Sequence, residues 1–222
     1  MVKLYIVRHC QTMSNQTQTF QGWGGSPLSD IGIFQLGLLS ESLKDEKFDV
    51  IYSSPLDRAF KTAQAINVFH GVEIIQDDNL KEINVGDMAE MSCDEIPKIF
   101  PNESKIWNDE IYNFISPNGE SMREVFTRTS KALKEIIIKN PDKNIVIVSH
   151  GCAIRTMLCY LSGFEIEKIN EIPLGSNTAI STVSIDVDGV KIEKLSDDKH
   201  LPKLFRSDPK KAYKFKIDEV SI

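Results

Sequence analysis

Short, unbroken apolar runs alternate along the chain with longer stretches in which apolar residues return every three or four positions. The first pattern has the length of a strand buried on both faces, and the second has the period of an amphipathic helix. Strands are predicted at Lys3 to Val7, Val50 to Ser53, Val72 to Ile75, Ile145 to Ser149, Ala179 to Asp186 and Val190 to Leu195, with Asp188-Gly189 joining the last two as a hairpin. Ser54 reads as a helix cap with Pro55 at the first helical position. Ser121 and Glu124 form a capping box ahead of Val125, Leu133, Ile136 and Ile137, which predicts a long amphipathic helix. The alternation implies an α/β fold: one three-layer α/β/α domain over residues 1–222, with a mostly parallel six-stranded sheet and a small helical lid insertion at approximately 88–120. No repeat, linker or low-complexity stretch divides the chain, and residues 197–222, with Lys210-Lys211, read as a solvated C-terminal tail.

Chemistry gathers where the apolar runs stop. Leu4-Tyr-Ile-Val7 delivers Arg8 and His9 to a loop, and Ile145-Val-Ile-Val-Ser149 does the same for His150 and Gly151. Sites in α/β proteins form at such strand ends, so two histidines delivered alike suggest one shared site. A third strand ends in Ser54-Pro55-Leu-Asp-Arg58, which puts an arginine in the first turn of the next helix. Two imidazoles and two guanidinium groups suit a dianionic phosphate, because guanidinium binds its oxygens bidentately and stays charged at physiological pH. A neutral imidazole can then attack phosphorus, and that chemistry needs no metal.

These segments resemble the histidine phosphatase superfamily, which includes the cofactor-dependent phosphoglycerate mutases. Arg8-His9-Cys10-Gln11-Thr12 with Asn15 is similar to the family's Arg-His-Gly-Glu-Thr motif and its downstream asparagine. Gln21-Gly22, Pro27-Leu28-Ser29 with Gly32, Ser53 to Ala59 with Thr62-Ala63, Leu80 to Ile83 with Gly86, Asn118 to Ser121, and Ser149-His150-Gly151 continue the resemblance. It implies His9 as nucleophile, Arg8, Arg58, His150 and Gly151 at the phosphate, Glu82 as proton donor and acceptor, and Asn15, Gln21 and Gly22 completing the pocket. Glu82 must be protonated when it meets the leaving alkoxide and ionised when it activates water, so a raised pKa would help it. His9 attacks only when neutral, and the nearby arginines should hold its pKa down.

Two positions depart from the family's pattern. Cys10 stands where glycine is usual, with the expectation of crowding or an unfavourable φ, and of a thiol acidified by the arginines. Met88, Ala89 and Glu90 replace the tryptophan, glutamate and glycine after Gly86. Cysteines 10, 93, 152 and 159 contain no C-x-x-C pair, and a zinc set from His9, Cys10, His150 and Cys152 is disfavoured because neighbours on a strand face opposite ways. No metal or cofactor is expected. His70 and His200 read as ordinary residues, and Phe100, Trp107, Tyr112 and Phe114 either line the mouth of the site or pack the lid onto the core.

The formal net charge of −6 disfavours nucleic acid as a partner, no stretch is long enough to span a membrane, and Met1-Val2-Lys3 enters a strand without signal-peptide features. Unpaired cysteines suit a reducing cytoplasm. The expected activity is metal-independent hydrolysis of a small phosphorylated metabolite through a phosphohistidine intermediate. A mutase is the first alternative, but the arginine-rich segment that clamps a substrate carboxylate in phosphoglycerate mutases has no equivalent between Glu82 and Asn118, where Lys98 and Lys105 are poor substitutes. A binding module for phosphorylated ligands without turnover is the second. The sequence names neither the substrate nor the oligomeric state.

Overall fold

Successive side chains of the first strand, β1 (Val2–Arg8), enter different cores in the computed structural model, which describes residues 1–207, 214 and 215. Leu4 and Ile6 join Ile145 and Ile147 in one cluster, whereas Tyr5 and Val7 join Val146 and Val148 in the other. That split follows from the two-residue period of an extended chain, and it needs helices on both faces.

The sheet comprises β1, β2 (Val50–Ser53), β3 (Ile74–Gln76), β4 (Asn144–Ser149), β5 (Ile180–Asp186) and β6 (Gly189–Asp197), in the order β3-β2-β4-β1-β5-β6. β4 pairs in parallel with β1 and β2, and β2 pairs in parallel with β3. β5 runs against both of its neighbours. The helices are α1 (Met13–Gln16), α2 (Asp30–Leu43), α3 (Asp57–Asn67), α4 (Ile96–Ile99), α5 (Pro101–Asp109), α6 (Met122–Lys139) and α7 (Gly151–Leu161). Leu39 and Leu43 of α2 with Ala59, Ala63 and Ile66 of α3 cover one face; Leu133 and Ile136 of α6 with Met157 and Leu158 of α7 cover the other. Burying each such leucine or isoleucine stabilises the fold by roughly 1.5–3 kcal/mol before the cost of ordering it.

Several boundaries differ from the sequence reading, each for a local reason. The Asn67 side chain pairs with both backbone groups of Val72, at 2.8 and 2.9 Å, so β3 begins at Ile74 rather than Val72. Helix α3 begins at Asp57, because the Ser54 hydroxyl is engaged elsewhere and caps only the Leu56 amide. The capping box of Ser121 and Glu124 does open α6. Ser29 caps α2, accepting from the Gly32 amide at 3.0 Å, and a Cβ on Gly32 would stand 2.0 Å from the Gln11 carbonyl oxygen.

The segment read as a lid, between β3 and α6, holds helices α4 and α5 and the 3₁₀ turn Ile111–Asn113. Ile96, Trp107 and Phe114 are buried in the same cluster as Leu4 and Ile6, so it packs onto the body of the fold. Trp107 meets Phe114 and Phe20 edge-on at 4.8 and 5.0 Å. Lys210 and Lys211 lie outside the described residues, but Leu201 and Phe215 are buried rather than solvated. Asn108 exchanges two hydrogen bonds with the Phe215 backbone, at 2.8 and 2.9 Å.

Candidate active site

Parallel pairing of β1 with β4 sets Arg8 opposite Ser149. The residue that follows each strand is a histidine, and the His9 amide bonds the Ser149 carbonyl at 2.9 Å. Register alone therefore brings His9 and His150 together, with ring centroids 5.1 Å apart. Every site residue expected from the sequence except His150 lines one cavity of about 700 Å³ at this end of the sheet. His150 is fully buried behind His9.

The His9 Nδ1 lies 2.7 Å from the Cys10 carbonyl. A carbonyl only accepts, so Nδ1 carries the proton and the lone pair falls on Nε2. Burial, then the charges of Arg58 and Arg8, push the His9 pKa well below the usual imidazole value, which keeps the ring neutral. Burial, Arg58 and His9 do the same to His150. The His150 Nε2 lies 2.8 Å from the Ser54 hydroxyl, and its buried Nδ1 has no hydrogen-bond partner among the described residues.

Cys10 behaves unlike its sequence expectation. Its side chain is fully buried and does not line the cavity, and its amide bonds the Thr62 hydroxyl at 3.0 Å. Cys10 is absent from the residues with positive φ, so a side chain costs no strain there. Burial pushes its thiol up to about 11, the opposite of acidification.

The two arginines are oriented by backbone carbonyls. Arg8 donates to Gly175 at 2.6 Å, and Arg58 donates to Gly22 and Gly24 at 2.7 and 3.2 Å. Gly22 offers its carbonyl from a φ of +52°, where a Cβ would meet Val85 Cγ2 at 2.4 Å. Asn15 is held in a capping box with Thr12 and accepts from Asn177 at 3.3 Å. The Gln21 side chain meets the Thr12 hydroxyl through Oε1 at 3.2 Å, while its buried Nε2 has no hydrogen-bond partner among the described residues.

Glu82 stands at the N-terminus of α7. Its carboxylate accepts from the amides of Cys152 at 3.1 Å, Ala153 at 3.2 Å and Ile83 at 3.0 Å. Its own carbonyl accepts from Arg128 at 2.8 Å and Trp23 at 2.6 Å. Arg128 also donates to the carbonyls of Asn79 and Lys81 and pairs with Glu120 through two bonds of 2.8 and 3.0 Å. Gly151 leaves room beside this carboxylate: a Cβ there would lie 3.5 Å from Glu82 Oε2 and 2.9 Å from Leu174.

Ser54, Arg128, Asn177 and Thr178 position the site, and the sequence reading missed all four. Asn177 donates to the His9 carbonyl at 2.9 Å, and the Thr178 amide donates to the carbonyls of Arg8 and His9. The polar run Ser176-Asn177-Thr178 before β5 was the available signal. Arg128 had none, since most of its partners are carbonyls. His200, read as ordinary, bonds the Thr178 hydroxyl at 3.1 Å and so stands behind this loop. Lys98 and Lys105 do not line the cavity, whereas Arg155 and Lys214 do. Among the described residues, no cluster of three or more His, Cys, Asp or Glu side chains is arranged to hold a metal ion, and no helix is long and apolar enough to cross a membrane.

A neutral imidazole with a directed lone pair, two oriented guanidinium groups, two buried nitrogens without a partner among the described residues and a carboxylate at the rim can bind and attack a phosphate ester. Residues 4–198 match a family model described as the histidine phosphatase superfamily (branch 1). Phosphoserine phosphatase 1 of Hydrogenobacter thermophilus is 34% identical over 168 residues, 76% of this chain and 80% of that protein. The structure of Bacillus stearothermophilus YhfR is similar with a TM-score of 0.85 at 25% identity, covering 90% of this chain and 99% of that one. A phosphoserine phosphatase mutant from Entamoeba histolytica, in complex with phosphoserine, gives a TM-score of 0.80 at 28% identity, covering 91% of this chain and all of that one.

Proposed function

The chain belongs to the histidine phosphatase superfamily, and from that membership we propose that it hydrolyses a small phosphorylated metabolite through a phosphohistidine on His9. The relatives named as phosphoserine phosphatases support monoester hydrolysis. The observation that carries the mechanism is the bond from His9 Nδ1 to the Cys10 carbonyl, which leaves Nε2 as the nucleophile while burial and two arginines keep the ring neutral.

In the first step His9 Nε2 attacks phosphorus and the bond from phosphorus to the ester oxygen breaks. Arg8, Arg58, His150 Nδ1 and Gln21 Nε2 meet the charge on the phosphoryl oxygens, with Asn15, Gly22 and Gly151 shaping the pocket around them. Glu82 gives its proton to the departing alkoxide. Water then enters in that direction, Glu82 takes its proton, and the bond from Nε2 to phosphorus breaks to release inorganic phosphate. No step requires a metal. The four cysteines, all free, support a reducing intracellular setting.

The test is phosphate release from p-nitrophenyl phosphate with and without EDTA, comparing the natural chain with His9→Ala. Turnover that resists EDTA and disappears in the variant supports the mechanism. Turnover that survives His9→Ala overturns it, and binding of vanadate without turnover favours a ligand-binding module.

A further inference from the structure

The cavity holds more positive charge than a phosphate needs. Arg8, Arg58, Arg155 and Lys214 line it against two carboxylates, Glu82 and Asp109. Arg155 lies on α7 four residues beyond Gly151, hence on the same helix face and about 6 Å further along the axis from the phosphate end.

Arg155 differs from the arginines that hold the fold together. Arg123, Arg128 and Arg206 each pair with a carboxylate, namely Glu167 at 2.6 Å, Glu120 at 2.8 Å and Asp198 at 3.6 Å. No carboxylate of the described residues lies within 4.0 Å of Arg155. Its Nε donates to the Ile172 carbonyl at 3.0 Å, and its Nη2 donates to the Ile169 carbonyl at 2.8 Å and to Asn170 Oδ1 at 3.2 Å. These bonds fix the guanidinium plane without neutralising it, and Nη1 makes no hydrogen bond among the described residues. A half-buried cation that is rigid, lines a cavity and has no carboxylate within 4.0 Å among the described residues is matched by an anionic group on a ligand.

We propose that Arg155 is a specificity-determining residue that binds the carboxylate of a phosphorylated amino or hydroxy acid whose phosphate sits at His9. This rests on the phosphatase reading above. It also supplies the carboxylate clamp for which the segment between Glu82 and Asn118 offered no candidate: the cation comes instead from the helix that begins at the second histidine. Asn170 shares the wall and orients the fork.

Matched substrates test the subsite. The natural chain is compared on O-phosphoserine against phosphoethanolamine, and on 3-phosphoglycerate against glycerol 3-phosphate, each pair differing in the carboxyl group. The expected result is a preference of about tenfold or more in kcat/KM for the acid in at least one pair, the order of one charge-assisted hydrogen bond. In Arg155→Gln the ratio between acid and carboxyl-free partner should collapse toward one, mainly through KM. Should Arg155→Gln fail to fold, Arg155→Lys, which keeps the charge and loses the fork, should retain only part of the preference. Absence of preference in the natural chain for both pairs overturns the subsite, as does a ratio that either folded variant leaves intact. If the natural chain hydrolyses p-nitrophenyl phosphate without discriminating, the subsite alone fails. If it releases phosphate from no monoester, the phosphatase reading fails and takes the subsite with it.

Discussion

Ser54 Oγ lies 2.8 Å from His150 Nε2, and both side chains are fully buried. The pair ties the end of β2 to the end of β4. If the hydroxyl donates to Nε2, the proton of the neutral imidazole is on Nδ1, which has no hydrogen-bond partner among the described residues and is the atom proposed to meet a phosphoryl oxygen. Ser54→Ala removes the bond and leaves a buried ring nitrogen unsatisfied, at a cost of about 1–3 kcal/mol of stability. The expected result is lower denaturant resistance together with a roughly tenfold fall in kcat/KM for p-nitrophenyl phosphate, one hydrogen bond's worth. Stability lost with kinetics unchanged would mean that Ser54 supports packing and does not orient His150.

Glu82 and the residue that fixes it predict a dependence on the leaving group. p-Nitrophenolate departs without needing a proton, whereas an alkoxide does not. Glu82→Gln should therefore slow glycerol 3-phosphate by about 10²- to 10³-fold, within the range of general-acid effects, and slow p-nitrophenyl phosphate much less. Arg128 pins the backbone carbonyls of Asn79, Lys81 and Glu82, so Arg128→Met should show the same asymmetry at about tenfold, a positional loss rather than a chemical one. Equal losses on the two substrates in Glu82→Gln would remove Glu82 from the proton-transfer role.

How much of this was legible depended on whether a contact leaves a trace in sequence. The apolar runs of β1 and β4 were readable because both faces of each strand are buried, and their ends gave Arg8, His9 and His150 directly. Ser54 was visible but misread: the Ser-Pro pair looks like a helix start, and only the fold reveals that its hydroxyl reaches a histidine 96 positions away. Cys10 was misjudged because its neighbours in sequence suggested exposure to the arginines, while its side chain is fully buried and does not line the cavity. Arg128 and Arg155 act mostly on carbonyls, which every residue carries, so no spacing or residue pattern could have singled them out.

Gly22 couples backbone conformation to the orientation of Arg58. Its left-handed φ of +52° aims its carbonyl at Arg58 Nη2, 2.7 Å away, and a Cβ would stand 2.4 Å from Val85 Cγ2. Gly22→Ala must shift this turn or Val85, with an expected loss of about 1–3 kcal/mol. Because the shift carries the Arg58 partner with it, KM should rise more than kcat falls. Thermal unfolding and steady-state kinetics on the same preparation check both, and an unchanged KM in a destabilised protein would separate the turn from Arg58.

The buried histidines make stability fall on mild acidification. His9 and His150 have folded-state pKa values well below 6.5, chiefly through burial, and burial also lowers His70 and His200. Below pH 6.5 the unfolded chain takes up protons at these rings before the native chain does. The unfolded state then binds more protons, so stability is fully present above 6.5 and is lost as pH falls toward the native values, by up to about 1.4 kcal/mol per pH unit for each ring. The lowered carboxylates, Glu95, Glu124, Asp142, Glu167 and Glu193, respond at lower pH, so the window between about 6.5 and 5 isolates the histidines. Denaturant unfolding at pH 7.5, 6.5 and 5.5 should give a slope that is shallower in His9→Gln than in the natural chain. With His9 as the proposed nucleophile, the acidic limb of kcat/KM should at the same time lie below 6.5, since burial and the arginines keep that ring neutral in the folded protein. Equal slopes in the two proteins would mean that native His9 titrates near the ordinary value, and then protonation of the nucleophile, rather than unfolding, would limit activity in mild acid.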